Sequence, residues 1–414
     1  MQRALEKYLK TRAITSPWTV AGTNRADISA VIVVPVLAER ENLPTMLDSL
    51  SLNSTEYLAR TLIVIVINNR VDVSSAEFSD NQKTLDWLHS IPYSPLNLAW
   101  IDASSPGFEL PAKDGVGLAR KIGFDAALQR VDWNIDPILI SLDADTLVEP
   151  DYLSAIFDHF SVGKNRAAVI PFRHQFSPIV RQEKAIRCYE LYLRSYLFGL
   201  SMAGSPYSFH SIGSAFACRA TAYIRAGGMN RRCGGEDFYF LQQLAKTAVI
   251  KMVEGTVVHP SPRFSHRVPF GTGRVIQEQV ERETLPFHFV SVAGFKILKE
   301  WLDLIRCHVD EPADQIREQS ANISAVLNQF LAELNFSSTW EKLQNNHASR
   351  EQRLTAFYHW FDGLRTRQLL TRIENERHSP AVLVAELLSR GGYGEIENEL
   401  EQLKLLETLQ GVRW

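Results

Sequence analysis

The stretch of this sequence best suited to chemistry is Ile138–Pro150, which reads ILISLDADTLVEP. Ile138–Leu142 is apolar or small, as a strand buried on both faces requires, and it runs straight into Asp143-Ala144-Asp145. Two carboxylates one residue apart, at the carboxyl end of a buried strand, stand where open α/β sheets bind ligands. Their oxygens are hard donors of the kind that Mg2+ or Mn2+ takes, and those ions usually share coordination with substrate phosphates. A second acidic pair, Glu236-Asp237, follows Gly234-Gly235 and opens a helical pattern through Ala245. Acids in a first helical turn are favoured by unpaired N–H groups and by the helix dipole, which would also keep Asp237 ionised. The loop 260–273 carries Arg263, His266, Arg267 and two glycines. Such a loop can close over a diphosphate, its arginines pairing with phosphate oxygens in forked geometry.

The elements around these residues alternate. Ala30–Leu37 (AVIVVPVL), Leu62–Ile67 (LIVIVI), Leu96–Ile101, Ile138–Leu142 and Ala167–Pro171 read as buried strands. Between them Ala38–Leu43 turns into a helix running to about Leu50, and helical patterns cover Ser79–Ser90, Gly115–Gln129 and Tyr152–Phe160. Strands and helices at βαβ spacing predict a parallel, doubly wound α/β sheet. Pro35, Ala38, Glu39, Asn68 and Asp102 fall at or just beyond the ends of the first three strands, where open α/β sheets bind ligands; Asp102 could equally cap a turn with Ser104. Lys113 and Arg120 could neutralise phosphate or ribose oxygens. Lys251–His259 reads as one further strand. From Val275 onward nearly every segment has helical periodicity, including Val292–Cys307, Ile316–Leu334 and Gln352–Leu370. The expected organisation is an N-terminal helical extension (1–28), an α/β domain (29–275) and a helical appendage (276–414).

Composition narrows the function classes. The chain has 414 residues, 45% of them hydrophobic and 22% charged, as in soluble globular proteins. A net charge of −3 gives no support to a nucleic-acid partner or a polybasic membrane segment. The four cysteines (Cys188, Cys218, Cys233, Cys307) form no C-x-x-C pair, which fits a reducing cytoplasm. No apolar run approaches the ~18–20 residues of a membrane span, which leaves only peripheral membrane contact open.

In order and spacing, four segments resemble glycosyltransferase family 2, whose members share the GT-A fold. VVPVLAERENL (Val33–Leu43) is similar to the family's opening strand and turn, VIPxxNEExxL. GVGLARKIGFDAAL (Gly115–Leu128) resembles its GxxxARNxGxxxA helix, LDADTLVEPDYL (Leu142–Leu153) its DxD segment, and GGMNRRCGGEDFYFLQQL (Gly227–Leu244) its xED segment. The resemblance covers about residues 30–275. It implies a hexosyltransferase that takes a nucleotide diphosphate sugar and a carbohydrate, lipid or small-molecule acceptor. Asp145 would bind the metal directly. Asp143 would reach the ribose or the metal through water, and Ala144 would lie between them at the donor. His259 would be a third metal ligand. Asp237 would act as catalytic base with inversion at the anomeric carbon, beside Glu236 as an acceptor contact or a cap. Three departures stand out. The family's Asp-Asp after the second strand is Asn68-Asn69 here, which alters the contact to the base. Its Asn after the first turn is Ala38, and the Asn of its ARN triplet is Lys121.

Rival readings fail on local grounds. A dinucleotide-binding fingerprint needs glycines directly after the first strand, and PVLAER has none. A nucleotidyltransferase needs a glycine- and lysine-rich segment there, which is also missing. A retaining mechanism on the same fold, or a non-catalytic scaffold, stays open.

Overall fold

The computed structural model describes every residue except 1, 15, 92–94, 265–270, 283, 374–377 and 414. Its strands are β1 (Val20–Gly22), β2 (Ala30–Val36), β3 (Thr61–Asn68), β4 (Asn97–Ala103), β5 (Ile138–Ser141), β6 (Leu147–Val148), β7 (Ala167–Val169), β8 (Phe216–Arg219), β9 (Ile250–Met252) and β10 (Val258–His259). Eight of them form one sheet in the order β1-β4-β3-β2-β5-β8-β7-β9, and β10 pairs with β6 apart from it. Pairing is parallel across β4-β3-β2-β5 and antiparallel at β1 and around β8. It is an α/β arrangement with a central sheet that is parallel in its middle, as the strand–helix alternation predicts, followed by helices from Val292 onward.

The central strands are buried along their whole length because Val, Ile and Leu fill both faces. Pro35 sits inside β2, opposite Val66, without breaking the sheet. Its place is physically sound. Val33 O accepts from Leu142 N, so residue 35 faces the same flank, beyond Ser141 where β5 has ended. A residue without an N–H loses nothing there.

Helix Val116–Ala127 lies against β2 and β3. Its Gly123 leaves no room for a side chain: a Cβ would fall 2.4 Å from Val33 Cγ1 and 3.0 Å from Val66 Cγ2. Gly123→Ala is therefore expected to destabilise the protein by about 1–3 kcal/mol through overpacking, outweighing the roughly 1 kcal/mol that Ala gains over Gly in a helix. Urea unfolding would measure it. The same helix anchors Gln2–Thr11. Asp125 Oδ1 accepts from Tyr8 Oη (2.7 Å) and Tyr223 Oη (2.9 Å), while its Oδ2 pairs with Lys121 Nζ at 2.8 Å. Lys121, the departure from the family's ARN, is thus committed to a buried network that holds the N-terminal helix.

Several expected boundaries move. The turn after β2, where Ala38 has a left-handed backbone with φ +52, leads into a helix that starts at Asn42. Lys251–His259 is two strands, since Gly255 turns the chain at φ +95. Ile316–Leu334 is two helices that meet at Ser324, whose extended backbone ends the first and whose hydroxyl caps the second. Gln352–Leu370 divides likewise, with Asp362 capping Gly363–Arg372. A polar residue that can bond its own backbone interrupts a helix even where the apolar period continues.

The chain forms two compact units, one of Met1–Ile186, Ser211–Thr284 and Gln410–Trp414, the other of Arg187–His210 and Leu285–Leu409. The second has an aromatic core in which Trp301 meets Phe336, Phe357 and Phe361 edge-on. No described helix is long and apolar enough to cross a membrane.

Candidate active site

Four acids are drawn into two ion-pair clusters in the first unit, and a fifth lies in the field of one of them. In one cluster, the Arg120 guanidinium pairs with both Asp143 and Glu236. Its Nε also donates to Ser141 Oγ at 2.9 Å, and Ser141 Oγ donates to Gly213 O at 2.7 Å. Arg120 is only 2% exposed, so it is a buried tie between the acid at the end of β5 and the acid that opens helix Glu236–Ala245. It meets Glu236 because Gly117 lets two backbones touch. Gly117 N donates to Arg232 O at 3.0 Å, and a Cβ on residue 117 would lie 2.7 Å from both Arg232 O and Asn230 O. Asn230 Nδ2 in turn donates to Glu236 O at 2.7 Å. Asp237 accepts from Phe238 N at 2.7 Å within the first helical turn.

In the other cluster, Arg263 Nε donates to Asp145 Oδ2 at 2.8 Å, and its other arm pairs with Glu39. Glu39 also accepts from Asn42 Nδ2 at 2.7 Å. The peptide of Asp145 is fixed from behind, because Gln175 Nε2 bridges Asp145 O (2.9 Å) and His259 O (2.8 Å). Ala144, between the two aspartates, is buried.

The electrostatics follow from crowding acids in a desolvated place. Burial first, then the neighbouring Glu236, pushes the Asp237 carboxyl up to about 7, with Arg120 pulling the other way. Burial pushes Asp145 up to about 6 against the pull of Arg263, and Glu39 and Asp143 add to the rise. Glu236 is also raised, again mainly by burial. These groups together carry more negative charge than two guanidinium ions offset.

The remaining expected site residues lie elsewhere. Asn68 Nδ2 donates to Val36 O (3.0 Å) and Val66 O (3.1 Å), tying the ends of β2 and β3. Asp102 Oδ1 accepts from Ser104 N (2.9 Å), Ser104 Oγ (3.0 Å) and Ser105 N (2.9 Å). Burial alone would raise this carboxyl, but the bonds from Ser105 and Ser104 hold it below its ordinary value. Lys113 is exposed. His259 has Nε2 3.2 Å from Glu149 Oε1 and Nδ1 3.0 Å from Arg173 O. Arg267, with His266, lies outside the described residues. Asn68, Asp102, Lys113 and His259 take no part in the two ion-pair clusters as described. The sequence reading passed over Asn81, a buried amide within helix Ser75–Ser90. Its Oδ1 accepts from Ala38 N at 2.9 Å, and its Nδ2 donates to Asn68 O and Asn69 Oδ1. A polar residue in a helix interior was the available signal.

Among the described residues no three His, Cys, Asp or Glu side chains converge as metal ligands. Asp143, Asp145 and His259 each face another partner, Arg120, Arg263 and Glu149. The donor chemistry nevertheless suits a hard divalent ion. Asp143, Asp145 and Glu39 offer carboxylate oxygens of the kind such an ion takes.

No protein-family model matches this chain, and no curated protein does. Among solved structures it is similar to the Staphylococcus aureus protein TarS, residues 1–349, at 11% identity over 93% of this chain and 89% of that one, with a TM-score of 0.38. The same protein in complex with UDP-GlcNAc gives a TM-score of 0.39 at 11% identity, over 93% and 90%. The mannosyltransferase PcManGT from Pyrobaculum calidifontis, in complex with GDP-Man and Mn2+, gives 0.37 at 16% identity, over 99% of this chain and 93% of that one. These similarities are remote.

Proposed function

We propose that this protein is a metal-dependent, inverting glycosyltransferase of family 2 type, moving a sugar from a nucleotide diphosphate sugar to an acceptor hydroxyl. One observation carries the reading. The Arg120 guanidinium pairs with Asp143 at the tip of the central sheet and with Glu236, the neighbour of Asp237, at the start of helix Glu236–Ala245, which supports a donor site and a base brought to one place. All of them lie within residues 29–275, the proposed catalytic domain.

Asp145 and Asp143 are the residues that would hold Mn2+ or Mg2+, with Glu39 beside them. When bound, such an ion neutralises the charge that grows on the departing diphosphate. Asp237 takes the proton of the acceptor hydroxyl as its oxygen bonds to the anomeric carbon. The bond from that carbon to the phosphate oxygen breaks, and its electron pair leaves with the nucleoside diphosphate. Arg120 keeps Asp143 and Glu236 in register, so donor and base are positioned by one rigid group. Arg263, and Arg267 from the same loop, supply cations for the diphosphate.

A thermal-shift screen of nucleotide sugars with and without Mn2+ tests this reading. The expected result is a rise in melting temperature that needs both metal and donor and is lost in Asp145→Ala. No rise with any donor would sink the assignment. Among turnover products, the anomeric configuration should be opposite to the donor's. Retention would remove Asp237 from its role.

A further inference from the structure

The segment from Gln175 to Lys184 is turned inside out. Its polar side chains face the protein: Ser177 and Gln182 are buried, Ser177 Oγ donates to Gln182 Oε1 at 2.8 Å, and Gln182 Nε2 donates to Pro262 O at 2.7 Å. Its apolar side chains face water. Phe176 is 74% exposed, Ile179 59% and Val180 81%. Among the described residues no other five consecutive positions expose three large apolar side chains. Single exposed apolar residues need no explanation, but a group of them marks a surface that something covers. The corner is also firmly held. Ser177 Oγ accepts from Ile179 N at 3.2 Å, Gln175 N donates to Pro260 O at 2.9 Å, and Gln175 Nε2 bridges Asp145 O and His259 O. Rearranging the loop to hide Phe176 or Ile179 would break these bonds.

Charge says what covers it. Arg181 and Lys184 are exposed at the start of helix Val180–Met202, next to the apolar group. Glu183, the acid of residues 176–186, turns back to accept from Ser177 N at 2.8 Å. The outward charge at this corner is therefore positive, although the chain as a whole carries −3. Protein interfaces are depleted in lysine. Apolar side chains edged by Lys and Arg suit the boundary between acyl chains and anionic headgroups instead.

We propose that the corner 176–184 is a membrane-docking surface: Phe176, Ile179 and Val180 enter the interfacial layer of an anionic bilayer, while Arg181 and Lys184 meet its phosphate headgroups. This goes beyond the sugar-transfer reading and does not depend on it. Where both hold, the tie from Gln175 to the Asp145 peptide keeps the proposed donor site beside the lipid surface.

The test is flotation of the full chain with vesicles, of phosphatidylcholine alone or mixed with phosphatidylglycerol, without donor or metal. The unmodified protein is expected to bind the mixed vesicles at least about tenfold more tightly than the neutral ones, and added salt should weaken that binding by screening exposed charge. Phe176→Ser, Ile179→Ser and Val180→Ser together should lower binding to the mixed vesicles by about tenfold or more. Arg181→Gln with Lys184→Gln should remove most of the preference for anionic vesicles. All five side chains are exposed, so both variants should melt where the unmodified protein does; Phe176→Ser alone serves as the reading if the triple change does not fold. Full binding by the serine variant overturns the proposal, as does equal binding of the unmodified protein to neutral and anionic vesicles, or to neither. So does a lipid-free dimer that the serine variant abolishes, because a second copy would then cover the patch. None of these outcomes bears on sugar transfer.

Discussion

Asp237→Asn is expected to lower kcat for sugar transfer by about 10²–10⁴-fold, the range for losing a positioned general base. Binding of the nucleoside diphosphate should stay close to that of the unmodified protein, because the role proposed for Asp237 is played in the transition state. The unmodified protein should show the same group in its pH profile. Burial and the adjacent Glu236 push the Asp237 carboxyl up to about 7, and a base works only when deprotonated. kcat/KM should therefore climb with pH through about 7 and level off above it, and the Asn variant should lack that limb. Stability should run the other way. A carboxyl whose folded pKa exceeds the unfolded value of about 3.9 binds its proton more tightly in the native state. Its contribution is complete below about pH 4 and is lost as pH rises through about 7. Denaturation midpoints collected from pH 4 to 8 would show Asp237→Asn losing less stability over that span than its parent. A variant that keeps its kcat within a few fold removes Asp237 from the mechanism.

The largest effect on stability should come from Arg120→Leu. Removing one guanidinium strands Asp143 and Glu236 together, and breaking a buried pair so that a charge is left uncompensated costs about 3–5 kcal/mol. Arg120→Lys should recover only part of it, since one ammonium cannot serve Asp143, Glu236 and Ser141 in the planar fork that Arg120 uses. The deficit should narrow as pH falls, because stranded carboxyls take up protons rather than remain charged in a desolvated place. Urea unfolding of both variants at pH 5 and pH 8 would measure it. A deficit that does not change with pH would mean that the loss comes from packing.

The sheet is legible in the sequence because its strands are nearly pure runs of β-branched and aliphatic residues, a pattern with few other solutions at that length. The acids at 143, 145, 236 and 237 stand out for a similar reason: they interrupt such runs or open a helix. Pairings between distant residues were not readable. Nothing local ties Arg263 to Glu39 or Lys121 to Tyr8, because those contacts depend on how loops return across the sheet. Nor does spacing reveal that Asn68 spends its amide on strand ends while Asp102 closes a turn. Periodicity also hides breaks such as Ser324 and Asp362, where one hydroxyl or carboxylate ends what apolar spacing would continue.

The path of the chain has a consequence for synthesis. Residues 410–414 belong to the first unit, where Val412 is buried and Gly411 lies against Met252 and Pro171. They emerge from the ribosome after every helix between Val292 and Leu409. A nascent chain can build the central sheet early, but it leaves the flank near Met252 open until translation has passed residue 409. Newly made molecules should therefore be most exposed to proteases and to a holding chaperone in that interval, and stalling the ribosome just before residue 410 should prolong it.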